Sequence, residues 1–328
     1  MKETWTLGKI AAEVEGRLSG SADPTSVVRD FHIRAWSCGP GSVFLPIFNA
    51  GPQMTQRALG RGAVGALVDT HLADSIPHIW VYDLQSAAMK LAQKRRASFD
   101  GQVVGITGSA GKSSTKAMLA QVLQSSGNIY ASRNNQNLTP YVTATLCSLP
   151  PTTDVAIFEL AMYSPDMVGK SSELAQPHIG IITSIGMNHA EYHDNPEEGI
   201  IKSKTEIFWG MKEKGTAILP SHDSAFEKLR YRALESGKVN RIIECGMTCG
   251  DDVRLVEAIE HSTYSEVTIS AFGETARYCI SVPGMHMIQN SLLVAATLKS
   301  LGKPLSCMAK MREYQPPTQQ YSTVSSTF

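Results

Sequence analysis

Gly105 to Lys116 reads Gly-Ile-Thr-Gly-Ser-Ala-Gly-Lys-Ser-Ser-Thr-Lys, and it gathers the residue types that hold phosphate. Val103-Val104 precedes it and Ala117-Met118-Leu119-Ala120-Gln121-Val122-Leu123 follows, so the segment predicts a strand, a glycine turn and a helix opening on Lys-Ser. Glycines let backbone N–H groups approach phosphate oxygens, and the helix N-terminus adds partial positive charge. Lys112 then reaches terminal phosphates, while Ser113 or Ser114 offers a hydroxyl to Mg²⁺. The candidate cradle is Gly108, Ser109, Ala110, Gly111, Lys112, Ser113 and Ser114. An ordinary glycine turn before a helix is the competing reading, and it gives no reason for Lys-Ser-Ser at the helix start. The usual phosphate-loop spacing asks for glycine where this chain has Ile106, so the match is to a variant of that loop.

Two further positions fall where the same crevice is expected. Glu159 ends the apolar run Asp154-Val155-Ala156-Ile157-Phe158-Glu159-Leu160, at the carboxyl edge of a strand, where a doubly wound sheet opens its phosphate loop. A carboxylate there completes a Mg²⁺ shell begun by a loop serine, or interacts with a helix N-terminus; the residue alone leaves both open. His189 lies just past the next strand, in Gly186-Met187-Asn188-His189-Ala190-Glu191-Tyr192-His193, with Glu191 and His193 as rivals for any role and a plain polar contact as the alternative. Downstream, Lys202-Ser203-Lys204-Thr205-Glu206-Ile207-Phe208 puts two lysines on different helix faces, and taken alone both read as surface lysines.

The elements that position these residues follow from composition and pattern. The chain has 328 residues, 42% hydrophobic and 18% charged with zero formal net charge, enough for about two domains with a substantial core. Neutral charge argues against a nucleic-acid partner, and no stretch reaches the roughly 18 apolar residues of a membrane span. The start at Met1-Lys2-Glu3 lacks the apolar segment of a signal peptide, and six scattered cysteines read as reduced thiols, so the expected location is cytoplasmic. Cys245 and Cys249 have no second Cys/His pair close by, which disfavours zinc.

The expected fold is α/β: a small N-terminal α/β unit, then a phosphate-loop central domain with a mostly parallel, doubly wound sheet and a short antiparallel section. Residues 1–99 form the first unit, with helices over Ile10–Leu18, Met54–Gly60 and Ser86–Ser98 and strands over Ser42–Pro46, Ala63–Val68 and Ile79–Val81. The Lys94-Arg95-Arg96 run reads as a solvated face. Residues 100–303 form the second, with strands over Val103–Thr107, Asp154–Leu160, Ile179–Ile185 and Thr216–Leu219 and helices over Lys112–Gln124 and Pro196–Met211. Tyr264–Ser270 and Arg277–Val282 alternate like an antiparallel pair, and Ile288–Leu301 is a last helix. Residues 304–328 read as an extended, linker-like tail.

Taken together these positions resemble the ATP-dependent Mur ligases, closest in pattern to the member that adds D-alanyl-D-alanine. The resemblance covers the chain in layout to about residue 320 and is strongest from 103 to 210. The family loop, Gly-[Thr/Ser]-x-Gly-Lys-[Thr/Ser]-[Thr/Ser], is matched by Gly108 to Ser114 and accounts for Ile106. Its Asn-x-Asn segment and strand-end Glu resemble Asn134-Asn135-Gln136-Asn137 and Phe158-Glu159-Leu160, and His189 stands where the family carries a second-metal histidine. Lys204-Thr205-Glu206-Ile207-Phe208 matches the frame of the family's carbamylated lysine, and Lys202 does not. Gly284-Met285-His286-Met287-Ile288-Gln289-Asn290-Ser291 is similar to the adenine-binding segment, with Met287 in place of the usual Asn.

The resemblance implies ATP and Mg²⁺ as cofactors, Lys112, Lys204 and His189 as catalytic residues, and Ser113, Ser114, Glu159, His189 and carbamylated Lys204 as metal ligands. Asn290 and His286 join the loop on the nucleotide. The implied reaction phosphorylates a carboxylate to an acyl phosphate, which an amine attacks, with a small-molecule carboxylate and amine as partners. Three departures qualify this. The family's third domain, with its Asp and Lys, has no counterpart, and Gln319-Gln320 occupy the place of its linker Arg. The Asp-Ser-Arg and Asp-Gly-His signatures of the UDP-sugar-binding first domain are not found: Cys38-Gly39-Pro40-Gly41-Ser42-Val43-Phe44 keeps the frame, but Arg34-Ala35-Trp36 stands at the first signature. The third is Met287. The leading expectation is therefore a ligase acting on a non-standard carboxylate, its site completed by a second polypeptide or a second copy of the chain. The alternatives are a wall ligase split before its C-terminal domain, a catalytically weak nucleotide-binding subunit and, more remotely, a phosphate-loop kinase.

Overall fold

A computed structural model describes residues 4–48, 51–133, 136–186 and 195–317. The first unit carries α1 (Leu7–Glu13), β1 (Arg17–Leu18), β2 (Asp30–His32), β3 (Ser42–Phe44), α2 (Pro52–Gly60), β4 (Gly65–Val68), β5 (His78–Trp80) and α3 (Leu84–Ala97). Its sheet runs β1-β5-β4-β3-β2, parallel except for β1. The first helix starts earlier than expected, because the Thr6 hydroxyl accepts the Lys9 N–H at 3.3 Å, and it stops before Glu15, whose φ of 55° is left-handed. Arg17–Leu18, expected inside that helix, pairs instead with Ile79 and Trp80.

The second unit runs β6 (Gln102–Thr107), α4 (Lys112–Leu123), β7 (Ile129–Ala131), α5 (Thr139–Cys147), β8 (Val155–Glu159), α6 (Met167–Ala175) and β9 (Ile179–Ile182). Then come α7 (Pro196–Thr205), β10 (Gly215–Pro220), α8 (Phe226–Glu235), β11 (Val239–Gly246), β12 (Val253–Glu260), β13 (Ser265–Ala271), β14 (Glu274–Ile280) and α9 (Met285–Ser300). Its strands are ordered β14-β13-β12-β11-β10-β9-β6-β8-β7, parallel from β7 to β12 and antiparallel beyond. Strand succession reverses around β6, which lies between β8 and β9, and such a switch opens a crevice at the carboxyl ends of the strands. The mostly parallel sheet and its antiparallel section match the expected fold class.

Apolar packing joins the two units. One continuous core runs from Leu7, Phe31 and Leu67 through Leu91 of α3 to Val142 and Leu146 of α5 and Phe158 of β8. A second core, on the other face of the large sheet, holds Met118 and Val122 of α4 against Ile288 and Leu292 of α9.

Two further expectations are corrected. Arg95 and Arg96 are buried, 8% and 3% exposed, rather than solvated. Arg96 donates to the carbonyls of Ala175 (2.6 Å), Gln176 (2.8 Å) and Phe99 (3.2 Å), satisfying orphan acceptors where α6 ends. The stretch after Lys303, expected to be extended, winds into a 3₁₀ helix over Leu305–Glu313 that packs on α4 and β14. Leu305, Met308, Met311 and Tyr314 fall inward at spacings of three, the 3₁₀ repeat, and all are buried. Residues 318–328, Gln319 and Gln320 among them, lie outside the described residues.

Candidate functional site

The loop between β6 and α4 is shaped by two left-handed glycines. Gly108 has φ 141°, and a side chain there would collide with Thr183 at the end of β9. Gly111 has φ 82°, and a Cβ would stand 2.6 Å from Asn290 Oδ1. The N–H groups of Ser109 and Ala110 donate to Ser184 (carbonyl 2.9 Å, hydroxyl 3.1 Å), and the Ser109 hydroxyl donates to the Gly186 carbonyl at 3.0 Å, so the front of the loop is tied to the neighbouring strand end. Lys112, Ser113 and Ser114 open α4, where the helix leaves their N–H groups without intrahelical acceptors. The Lys112 ammonium folds back on the loop, donating to the carbonyls of Gly108 at 2.7 Å and Ser109 at 3.3 Å. Burial pushes its pKa below the usual lysine value, and the Glu159 charge opposes that shift.

Glu159 is the polar centre. It is 1% exposed at the end of β8, beside β6. Ser113 Oγ lies 2.9 and 3.0 Å from its two oxygens, Asn137 Nδ2 donates at 2.9 Å and Lys116 Nζ at 2.9 Å. Its own N–H donates to Ser132 Oγ at 3.2 Å. The ammonium of Lys116 and the hydrogen bonds of Ser113 and Asn137 compensate the burial of this carboxyl group. Ser113 and Glu159 stand side by side as hard oxygen donors, and the same contacts set Glu159 against the N-terminal turns of α4, so both readings keep their geometry. That donor chemistry fits Mg²⁺.

Lys204, at the C-terminal end of α7, is 1% exposed, whereas Lys202 on another face is exposed. Burial first, and the Lys112 charge second, push Lys204 down to about 8, with Glu206 opposing. Glu206 has another task. It accepts the N–H groups of Asp166 at 2.9 Å and Gly169 at 3.1 Å, capping α6 from the side, and burial raises its pKa. In α9, Asn290 is buried against Gly111, His286 is exposed beside Gly284, and Met287 faces the core.

The structure thus brings Gly108, Ser109, Ala110, Gly111, Lys112, Ser113, Glu159 and Asn290 together, with Lys204 in electrostatic contact with Lys112. Ser114 is on the same helix turn and faces the buried Tyr314 hydroxyl. His189, its rivals Glu191 and His193, and Asn134 and Asn135 lie outside the described residues. Sequence reasoning missed Lys116 as the partner of Glu159. The signal was there: Lys116 follows Ser113 by three and Lys112 by four, the spacing that puts residues on one helix face.

The Mur ligase middle domain family matches residues 106–298, more than half of the chain, which therefore belongs to the Mur ligase family. The UDP-N-acetylmuramoyl-tripeptide--D-alanyl-D-alanine ligase of Escherichia coli (strain K12) is 29% identical over 308 residues, 92% of this chain and 66% of that protein. The ligase of the same name from Synechocystis is 29% identical over 255 residues, 77% of this chain and 53% of its own length. The chain spans between about half and two thirds of these two relatives. A crystal structure of MurF from Acinetobacter baumannii superposes with a TM-score of 0.80 at 22% identity, over 96% of this chain and 68% of that one. MurF ligase from Thermotoga maritima in complex with ADP superposes with a TM-score of 0.68 at 21% identity, over 86% and 66%. At these identities the structures establish the Mur fold.

Proposed function

We propose that the chain carries the nucleotide site of an ATP-dependent, ADP-forming carboxylate–amine ligase, working through an acyl phosphate on a carboxylate other than the standard UDP-muramoyl peptide. The observation that carries this is the convergence on one loop of buried Glu159, held by Ser113, Asn137 and Lys116, and buried Lys204, its pKa depressed beside Lys112. A kinase-like phosphate loop gives no reason for a buried lysine to face it. The ligase relatives, and an ADP-bound relative of the same fold, support the nucleotide and the class of reaction.

In this reading the free N–H groups at the start of α4 and the Lys112 ammonium bind and orient the phosphates, and Asn290 packs the loop beneath them. Lys112 turns from the loop carbonyls to the transferred phosphoryl group, whose charge it stabilises. Ser113 and Glu159, with Ser114 and His189 as further candidates, would hold Mg²⁺, which when bound neutralises phosphate charge. Lys204 enters as a carbamate: CO₂ adds to a neutral amine, and a pKa near 8 keeps roughly a tenth of it neutral at pH 7. The division into an N-terminal substrate unit (1–99) and a central ATP-binding unit (100–303) belongs to the same proposal, as does completion of the crevice by a second polypeptide or second copy. The unusual substrate rests on Arg34-Ala35-Trp36 where the relatives' signature would stand. Carboxylate-stimulated release of ADP and phosphate by the purified chain tests the ligase reading. ATP binding without any such stimulation favours the catalytically weak subunit instead.

A further inference from the structure

A cavity of about 180 Å³ opens between α7, the short 3₁₀ turn Glu206–Phe208 that follows it, and the end of α8. Its lining shares no residue with the phosphate site. Lys202 and Thr205 come from α7, Trp209 closes the turn, and Arg232, Glu235 and Ser236 come from the last turn of α8 and the residue after it. Lys202 is on a different face of the helix from buried Lys204, so the cavity and the phosphate loop meet different sides of α7. Trp209 is seated by one ring edge. Cε3 and Cζ3 of its indole lie against Gly169 of α6, where any Cβ would collide with them. The opposite edge carries the N–H, and it is the open one in a side chain 43% exposed.

The polar groups of this lining divide unevenly. Thr205 Oγ1 donates to the Ile201 carbonyl at 2.9 Å and Ser236 Oγ to that of Ala233 at 2.6 Å, so both hydroxyl hydrogens are spent. Glu235 accepts from Arg232 Nη1 at 3.0 Å and Glu198 from Nη2 at 3.1 Å, which fixes the guanidinium. Arg232 Nε, the Lys202 ammonium and the Trp209 N–H have no acceptor among the described residues. Within the lining Lys202 and Arg232 outweigh Glu235 by one positive charge, and Glu198, behind Arg232, is shared with Lys228 at 3.8 Å. A single solvated lysine needs no partner, but three unmet donors around one concavity beside an aromatic ring suit an anion. Size and charge narrow the choice. An apolar cavity of roughly 150 Å³ takes up a benzene ring, so this one fits a single ring with its charged group at the mouth. A phosphate monoester, with a charge of roughly −1.5 to −2 near neutral pH, would set excess negative charge against Glu235, whereas a monocarboxylate matches the lining.

We propose that this cavity is an accessory binding site for a small monocarboxylate bearing a flat apolar group. The carboxylate meets the Lys202 ammonium, the Trp209 N–H and Arg232 Nε, and the flat group lies along the indole. The site needs no assumption about the reaction at the phosphate loop, and its test is binding, so it stands or falls apart from turnover.

The full chain, with saturating ADP and Mg²⁺ to occupy the nucleotide site, is titrated with benzoate, and binding is followed by calorimetry and tryptophan fluorescence. Benzyl alcohol, a neutral ring, acetate, an anion without a ring, and phenyl phosphate, a ring with the higher charge, are the controls. Benzoate should saturate at millimolar concentration, about tenfold tighter than each control. Lys202→Met should weaken benzoate by about tenfold or more, and Lys202→Arg, which keeps the charge, should hold most of the affinity, both with unchanged ADP affinity as evidence of folding. Trp209→Phe should remove the fluorescence change while calorimetry still detects weaker binding. Failure of benzoate to saturate, a control that binds as tightly as benzoate, parental affinity in Lys202→Met, or a fluorescence change retained in Trp209→Phe would overturn the proposal.

Discussion

Lys112, Glu159 and Lys204 carry the account at the scale of single residues. Lys112→Ala leaves phosphate charge without its nearest cation, so ATP affinity should fall and turnover drop by about 100-fold or more; parental ATP turnover would remove the phosphate-loop assignment. Lys204→Ala should abolish carboxylate-stimulated turnover, with partial rescue by added short carboxylates, while Lys202→Ala stays near the parent. The reverse pattern would mean that the wrong lysine has been chosen. Burial of Lys204 also has a stability signature. Its pKa is about 8 when folded against an ordinary 10.5, so between those values the unfolded chain binds the extra proton and stability rises with pH. Below about pH 8 the buried ammonium costs about 3 kcal/mol. Lys204→Met should therefore gain stability over the parent at pH 7, and the gain should shrink by pH 10 in denaturant titrations; a pH-independent difference would contradict the depressed pKa. The placement of the loop residues was legible where type and spacing coincide, as in Gly-Lys-Ser-Ser. Lys204 was not legible alone, because burial of a lysine is a tertiary event that no local pattern encodes.

At the scale of elements, the loop glycines and the C-terminal 3₁₀ helix make the sharpest demands. Gly111→Ala forces a side chain into a left-handed conformation and against Asn290, and strain of this kind costs on the order of 1–3 kcal/mol. The variant should lose ATP binding along with stability, by calorimetry and thermal melting; unchanged ATP affinity would separate the loop shape from nucleotide binding. Met308→Ala tests whether the segment after α9 belongs to the core. A fully packed Met308 should cost about 2–5 kcal/mol, visible as a lower melting temperature, whereas a loose tail would cost nothing measurable. Buried strands such as β6, β8 and β9 could be read as apolar runs, and β13 and β14 as alternation. Strand β7 is only Ile129–Ala131 and half-buried, so it offered no pattern, and α5 is buried on nearly every face with threonines among its inward residues, which hides the helical period. The 3₁₀ helix escaped because its inward residues repeat every three, between the strand and helix periods.

At the scale of the molecule, the two sheets share one apolar core, with α3 packed on α5 and the Ser148 hydroxyl meeting the Phe31 backbone N–H at 2.8 Å. That joint places Arg34 of the first unit beside Tyr141 of the second, its Nε 3.0 Å from the phenol oxygen. No helix among the described residues is long and apolar enough to cross a membrane. On the proposed function, the crevice beside Glu159 activates a carboxylate at the expense of ATP. ³¹P NMR for the phosphates, paired with a ferric colour assay for hydroxamate, tests this on the full chain with ATP, Mg²⁺, bicarbonate, hydroxylamine and a panel of acyl amino acids and dicarboxylates. The account expects ADP and phosphate to accumulate with an equivalent of acyl hydroxamate for at least one carboxylate, and both signals to vanish in Lys112→Ala. AMP and pyrophosphate, or ADP released with no hydroxamate from any carboxylate, would contradict it.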